Sequence, residues 1–440
     1  MLIQHAGWIK RFLYFATTAI ILLAGTAACS QSSSNPTNVP TGTPITIGYS
    51  YPVSGDFAED GKAEDQGYQL WANMVNSSGG ILGHPVQLVK MKDDSNPDTV
   101  TKDYQTLITR DHVDFVLGPY SSLLTKAAMP VAQKYGYVLL EGSGGAPSVF
   151  QLNNPNHPTA FDVSLPVINN LDSFAYYIMS LPPNERPKTV SFASESDDPF
   201  TLPQVVEAQT LLVQQGKLQQ VVPAVHATKE IQADNGIIEY LSTDAKNYTT
   251  IAQYLIQAHA EVVVLGTFLP DVKVIIQTFK KAHYFPRAIV ATAGPGDGQS
   301  FIQAVGLSAA EGVFVPNGWY PQVNNFQNAE MVQNYLSLYG GTAGGINADT
   351  AEAFSAGQVM QQALTKAGKI SNAALLSELL SDTFNTVQGA VKFDNPEVPG
   401  SNTAALAYLF QWQQGNLIPV FPPTAASAVA EYPNKQATVQ

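Results

Sequence analysis

Ile45-Thr46-Ile47-Gly48-Tyr49-Ser50 is a short β-favouring run, and behind it Leu70, Trp71, Met74 and Val75 recur at three-and-four spacing before Gly79-Gly80. That pattern reads as a strand followed by a helix closing on a glycine C-terminus. Val86-Gln87-Leu88-Val89-Lys90-Met91 then supplies a second strand. A helix over 99–110 turns Val100, Tyr104, Leu107 and Ile108 inward, the strand 113–117 follows, and a helix near 123–135 leads into the strand 137–140. Strands alternating with helices predict a parallel sheet covered on both faces.

A second series of the same plan begins after Pro166. It predicts helices at 171–181, 205–215, 249–259 and 271–282, and strands at 189–193, 220–225, 261–265 and 287–292. Residues 226–247 show no clear period and read as a surface insertion on the second lobe. Toward the C-terminus, Gly312-Val313-Phe314-Val315 suggests a strand, 351–366 and 371–380 suggest helices, and 387–393 and 404–412 suggest a late strand pair. Late strands after those helices imply that the chain returns between lobes more than once.

At 440 residues the chain exceeds what one ordinary core holds, so two lobes are expected. It is 45% hydrophobic and 13% charged, a globular composition. At the start, Lys10 and Arg11 precede a short apolar run from Phe12 to Leu23 and small residues ending at Cys29. Residues 1–28 therefore read as a secretory signal, too short in its apolar part for a comfortable membrane span. Cys29 stands where a bacterial lipoprotein is cut and diacylated, and it is the one cysteine, so no intramolecular disulfide can form. Residues 29–44 carry Ser, Asn, Pro and Thr and read as a flexible tether.

Loss of residues 1–28 removes two of the 22 bases and none of the 35 acids, leaving 35 acids against 20 bases. No Lys/Arg cluster exists to neutralise phosphates, so nucleic acid is not an expected partner. Gly142-Ser143-Gly144-Gly145 follows a strand, yet it lacks the lysine and hydroxyl of a P-loop, the spacing of a dinucleotide turn and the G-x-S-x-G of a hydrolase elbow. The histidines are scattered without metal-ligand spacing. No catalytic group, metal or cofactor is expected. What remains is a set of loops at strand ends, where open parallel sheets hold ligands: 54–57, 118–122, 142–145, 197–200 and 294–297.

Several of these residues form a recognisable set. Pro52-Val53-Ser54-Gly55, Asn76-Ser77-Ser78-Gly79-Gly80-Ile81-Leu82-Gly83, Asp93-Asp94-Ser95-Asn96-Pro97, Gly118-Pro119-Tyr120-Ser121-Ser122 and Ala310-Glu311-Gly312-Val313 resemble the leucine/isoleucine/valine-binding branch of the type I periplasmic binding proteins, over nearly all of 44–422. The resemblance implies an α/β fold of two doubly wound, Rossmann-like lobes joined by a three-strand hinge. The expected division is 45–164 with 319–388 for the first lobe, 165–318 with 389–425 for the second, and a tail at 426–440.

It further implies an extracytoplasmic, lipid-anchored monomer that captures a branched-chain-type amino acid and hands it to an ABC permease. An aromatic or aliphatic carboxylic acid or an amide is the alternative cargo, and a ligand sensor the alternative role. By position in the family pattern, Ser121 and Ser122 would meet the ligand carboxylate, as would Ser143, Gly144 and Gly145. The family's usual Thr is missing from that second loop. Phe200 would form a cleft wall where a Tyr is common, and Asp297 would pair with the ligand ammonium. Read alone, the two serines can equally cap the next helix, Phe200 can be core, and Asp297 a solvated turn acid.

Overall fold

The computed structural model describes residues 39–154, 157–242, 245–396 and 398–438; the signal segment and Cys29 lie outside them. Five strands make the first sheet: β1 (Ile45–Tyr51), β2 (Val86–Lys92), β3 (Phe115–Leu117), β4 (Leu139–Glu141) and β5 (Ala160–Asp162), in the order β2-β1-β3-β4-β5. All pairs are parallel, and Ile45 sits opposite Val86. Alternate side chains point to opposite faces. Ile45, Ile47 and Tyr49 therefore join Leu70 and Trp71 on one side, while Val116 and Leu139 join Tyr104, Leu107 and Leu124 on the other.

Two helices cover the first face, Ala58–Ser77 and Ala348–Ala367. The second begins on Asn347, whose side chain accepts the Asp349 N–H at 3.0 Å, and ends on left-handed Gly368. Their closeness requires glycine at two points: a Cβ at Gly67 would collide with the Thr350 carbonyl, and one at Gly357 with the Trp71 ring.

The second sheet has nine strands. Its path is β16 (Asn416–Phe421), β15 (Tyr408–Gln413), β12 (Val313–Asn317), β11 (Ala288–Ala291), β10 (Val262–Gly266), β6 (Thr189–Glu195), β9 (Ile237–Tyr240) and β8 (Ile231–Asp234), with β7 (Gln219–Gln220) also beside β6. The central strands are parallel; β8, β15 and β16 run antiparallel to their neighbours. The chain passes between the sheets three times: between β5 and the helix Asp172–Ser180, after β12, and between Phe393 and β15.

Three sequence expectations need correction. The stretch 226–247 is not a simple insertion, because β9 pairs along Phe192–Glu195 as an inner strand while β7 flanks only Thr189–Val190. The late strands do not pair with each other: β13 (Thr383–Thr386) and β14 (Gly389–Lys392) form one hairpin, β15 and β16 another. A lobe boundary at 388 would cut the first hairpin, and Phe384, Val391 and Phe393 all lie in the first lobe's core. Finally, β5 and the helix Asn328–Tyr339, held by a 2.7 Å bond from Trp319 Nε1 to Asn328 Oδ1, were not foreseen.

Candidate functional site

Between the carboxyl ends of the two sets of strands lies a cavity of about 80 Å³. That is space for several waters or one small guest. The first lobe contributes Tyr120, Ser143, Gly145 and residues at two helix N-termini, Asp60 on one and Asp349 with Glu352 on the other. Asp349 and Glu352 share a face because they are three residues apart. From the second lobe come Phe200, Thr292 and Asp297, and the hinge adds Ser164 and Asn317.

The lobes touch at the mouth. Phe57 and Phe268 meet edge to face with ring centroids 5.1 Å apart, and Phe200 lies 5.7 Å from Phe268. Beside them Ser242 donates to Asp56 at 2.8 Å, and Ser300 to Glu59 at 3.0 Å.

Glu141, at the end of β4, is fully buried and folds back on the glycine turn that follows it. Its Oε2 accepts the Ser143 N–H at 2.8 Å and also the Gly144 N–H. A Cβ at Gly145 would strike the Asp162 carboxylate, so the turn stays glycine where it runs against these acids. Ser122 Oγ accepts the Ala146 N–H at 3.1 Å, and Ser121 Oγ caps its helix by accepting the Leu124 N–H at 3.2 Å. Ser143 Oγ donates to Glu352 at 3.0 Å.

Among the described residues four carboxyl groups line the cavity, and no Lys, Arg or His does. Asn347 Nδ2 donates to Asp60 at 2.9 Å, and Asp60 is also within hydrogen-bond reach of Tyr120 and Asp297. Burial, which disfavours the charged form, raises the pKa of all four. Asp297 and Asp349 are pushed well up, with the Asp60 charge adding to the effect, and Asp60 itself is raised. Glu352 is pushed up to about 8, by burial and then by the Asp162 charge. Asp297 is 8% exposed, and its Oδ2 has no hydrogen-bond partner. Among the described residues no three His, Cys, Asp or Glu are arranged to hold a metal ion.

The pattern of the family described as "Periplasmic binding protein" matches residues 44–416. The chain belongs to that family. This binding protein is 24% identical over 397 residues to Leu/Ile/Val-binding protein homolog 8 of Brucella abortus, covering 87% of this chain and 92% of the relative. Its fold resembles a leucine binding protein of Thermotoga maritima, with a TM-score of 0.72 at 16% identity over 85% of this chain and 97% of that one. It also resembles a branched-chain amino acid transporter substrate binding protein of Streptococcus pneumoniae in complex with isoleucine, with a TM-score of 0.71 at 18% identity over 85% and 97% of the two chains. The family's members bind solutes; they are not enzymes.

Of the residues expected at the site of this binding protein, Ser143, Gly145, Phe200 and Asp297 line one cavity. Ser121, Ser122 and Gly144 do not, because each is engaged inside the first lobe. Phe200 is half-buried against the mouth cluster and Asp297 is no solvated turn acid. Sequence reasoning missed Asp60, Asp349 and Glu352. Asp349-x-x-Glu352 was the available signal, but acids in a first helical turn ordinarily just answer the helix dipole.

Proposed function

We propose that this chain is the extracytoplasmic solute-binding component of an ABC importer, closing two lobes on a small guest and presenting the closed form to a membrane permease. The observation that carries this reading is a single cavity lined from both lobes, with Asp60 and Asp349 on one side and Asp297 and Phe200 on the other. A guest bridging such walls stabilises the closed arrangement by its differential affinity for it. Cys29, diacylated, would hold the protein at the membrane through the 29–44 tether; among the described residues no helix is long and apolar enough to cross a membrane.

The branched-chain-type amino acid expected from sequence is only half served. Asp297 and Asp60 suit its ammonium, whereas two of the backbone donors expected for its carboxylate, those of Ser143 and Gly144, belong to Glu141. Thermal denaturation and small-angle scattering of the chain from Cys29 onward, with and without amino acids, small acids, amides and amines, test the role. A binder raises the melting temperature by mass action. Indifference to every solute, in melting temperature and radius alike, rejects solute capture, and retention of a Cys29→Ser variant at the membrane rejects the anchor.

A further inference from the structure

We propose that the cleft is built for a small organic cation, a molecule that brings ammonium groups and no carboxylate of its own, held by Asp60 and Asp297 from opposite lobes with Asp349 and Glu352 beside them. This deepens the solute-capture reading and rests on it.

Three independent features converge. The lining is acidic: among the described residues four carboxyl groups face the cavity and no cationic side chain does. Three backbone donors of the 143–146 turn are already spent, since Glu141 takes the Ser143 and Gly144 N–H groups and Ser122 takes that of Ala146. One carboxyl oxygen is left over: Asp297 lines the cavity and is 8% exposed, and among the described residues its Oδ2 has no hydrogen-bond partner. A buried acceptor without a donor is costly, so the guest that completes this site is a donor. A carboxylate guest would find no cationic side chain among the described lining residues to offset its charge in a low dielectric.

The surroundings determine how protons move when such a guest binds. Asp297 faces Asp60 and Glu59; the exposed Lys62 shares with Glu59 and Asp297 an outer recess, not the cavity. Asp349 and Glu352 feel each other, Glu64 and the buried Asp162, and Tyr120 hydrogen-bonds to Asp60. Crowding and burial favour the protonated form of these carboxyls. An arriving ammonium replaces those protons, which leave to solvent as the carboxylates form. Binding therefore releases protons and tightens as pH rises, until the amine itself begins to lose charge.

The test is calorimetry and thermal shift on the mature chain with 1,4-diaminobutane, isoleucine, benzoate and acetamide. The expected result is that the diamine binds and raises the melting temperature, with an association constant that grows about tenfold or more from about pH 6 to pH 8. Heats in two buffers of different ionisation enthalpy should show net proton release. Asp297→Asn should weaken the diamine about tenfold or more, and because it removes a crowded acid it should fold at least as stably at neutral pH. Binding of isoleucine, benzoate or acetamide without the diamine overturns the cation while leaving solute capture intact. Diamine binding that ignores both pH and Asp297→Asn also overturns it. Silence of all four probes overturns both.

Discussion

The Glu141 carboxyl group accepts the Ser143 N–H at 2.8 Å and takes the Gly144 N–H as well, so the first lobe places its own carboxyl where a ligand carboxylate was expected. Glu141→Ala should leave two buried donors unpaired at about 1–3 kcal/mol each, less whatever is regained by removing a buried acid. It should also open a hole of carboxylate shape. Formate should then raise the melting temperature of the variant and not of the parent; an equal response from both refutes the idea.

Raised acid pKa values set a direction for stability with pH. Glu352 moves from 4.5 to about 8 and Asp162 from 3.8 to about 7, so the folded protein holds protons that the unfolded chain releases. Their contribution is full below the unfolded values, near pH 4, and is lost as pH rises through about 7 to 8. The ligand-free protein should melt higher at pH 5 than at pH 8, by on the order of 5 °C. A flat or opposite trend would show these carboxyls to be better solvated than their burial suggests.

Phe57 and Phe268 are 4% and 2% exposed and meet across the mouth. Truncating a buried Phe costs about 3–5 kcal/mol in an ordinary core. Here much of that cost should fall on closure instead of folding. Phe268→Ala should enlarge the radius of gyration in scattering and weaken guest binding about tenfold for each 1.4 kcal/mol withdrawn from the closed form. An unchanged radius with a large loss of stability would place the ring in the second lobe's own core.

Gly67→Ala should separate the helices Ala58–Ser77 and Ala348–Ala367 and cost about 1–3 kcal/mol in urea denaturation. Gly344→Ala is the control: its Cβ would meet nothing within 4 Å and its backbone needs no positive φ, so the change should be neutral. Equal effects would mean that helix contact does not explain the first.

The repeating strand–helix order was legible because β10 is a continuous apolar run buried on both faces, as parallel strands are, and β1 alternates Ile45, Ile47 and Tyr49 toward one core. The strand β9 was legible too, and was overlooked. Asn235 and Gly236 both have positive φ and join β8 to β9 as a two-residue hairpin, so Asn-Gly followed by Ile237-Ile238 was the signal. The acids of the cleft were not legible in this way. Asp60 and Asp349 begin separate helices 289 positions apart, and Asp297 comes from the other lobe; only the folded chain brings them to one cavity. Ser121 and Ser122 do not line the cavity: Ser121 caps its own helix on the Leu124 N–H, and Ser122 takes the Ala146 N–H of the next loop.

The hairpin of β8 and β9 also determines what borders the second sheet. Its outermost strand is four residues long, with Gln232, Ala233 and Asp234 exposed. So brief and polar a margin gives a neighbouring chain little backbone to zip onto. Molecules crowded together on a common surface would slide past one another there, leaving each free to meet a different kind of protein elsewhere on its body.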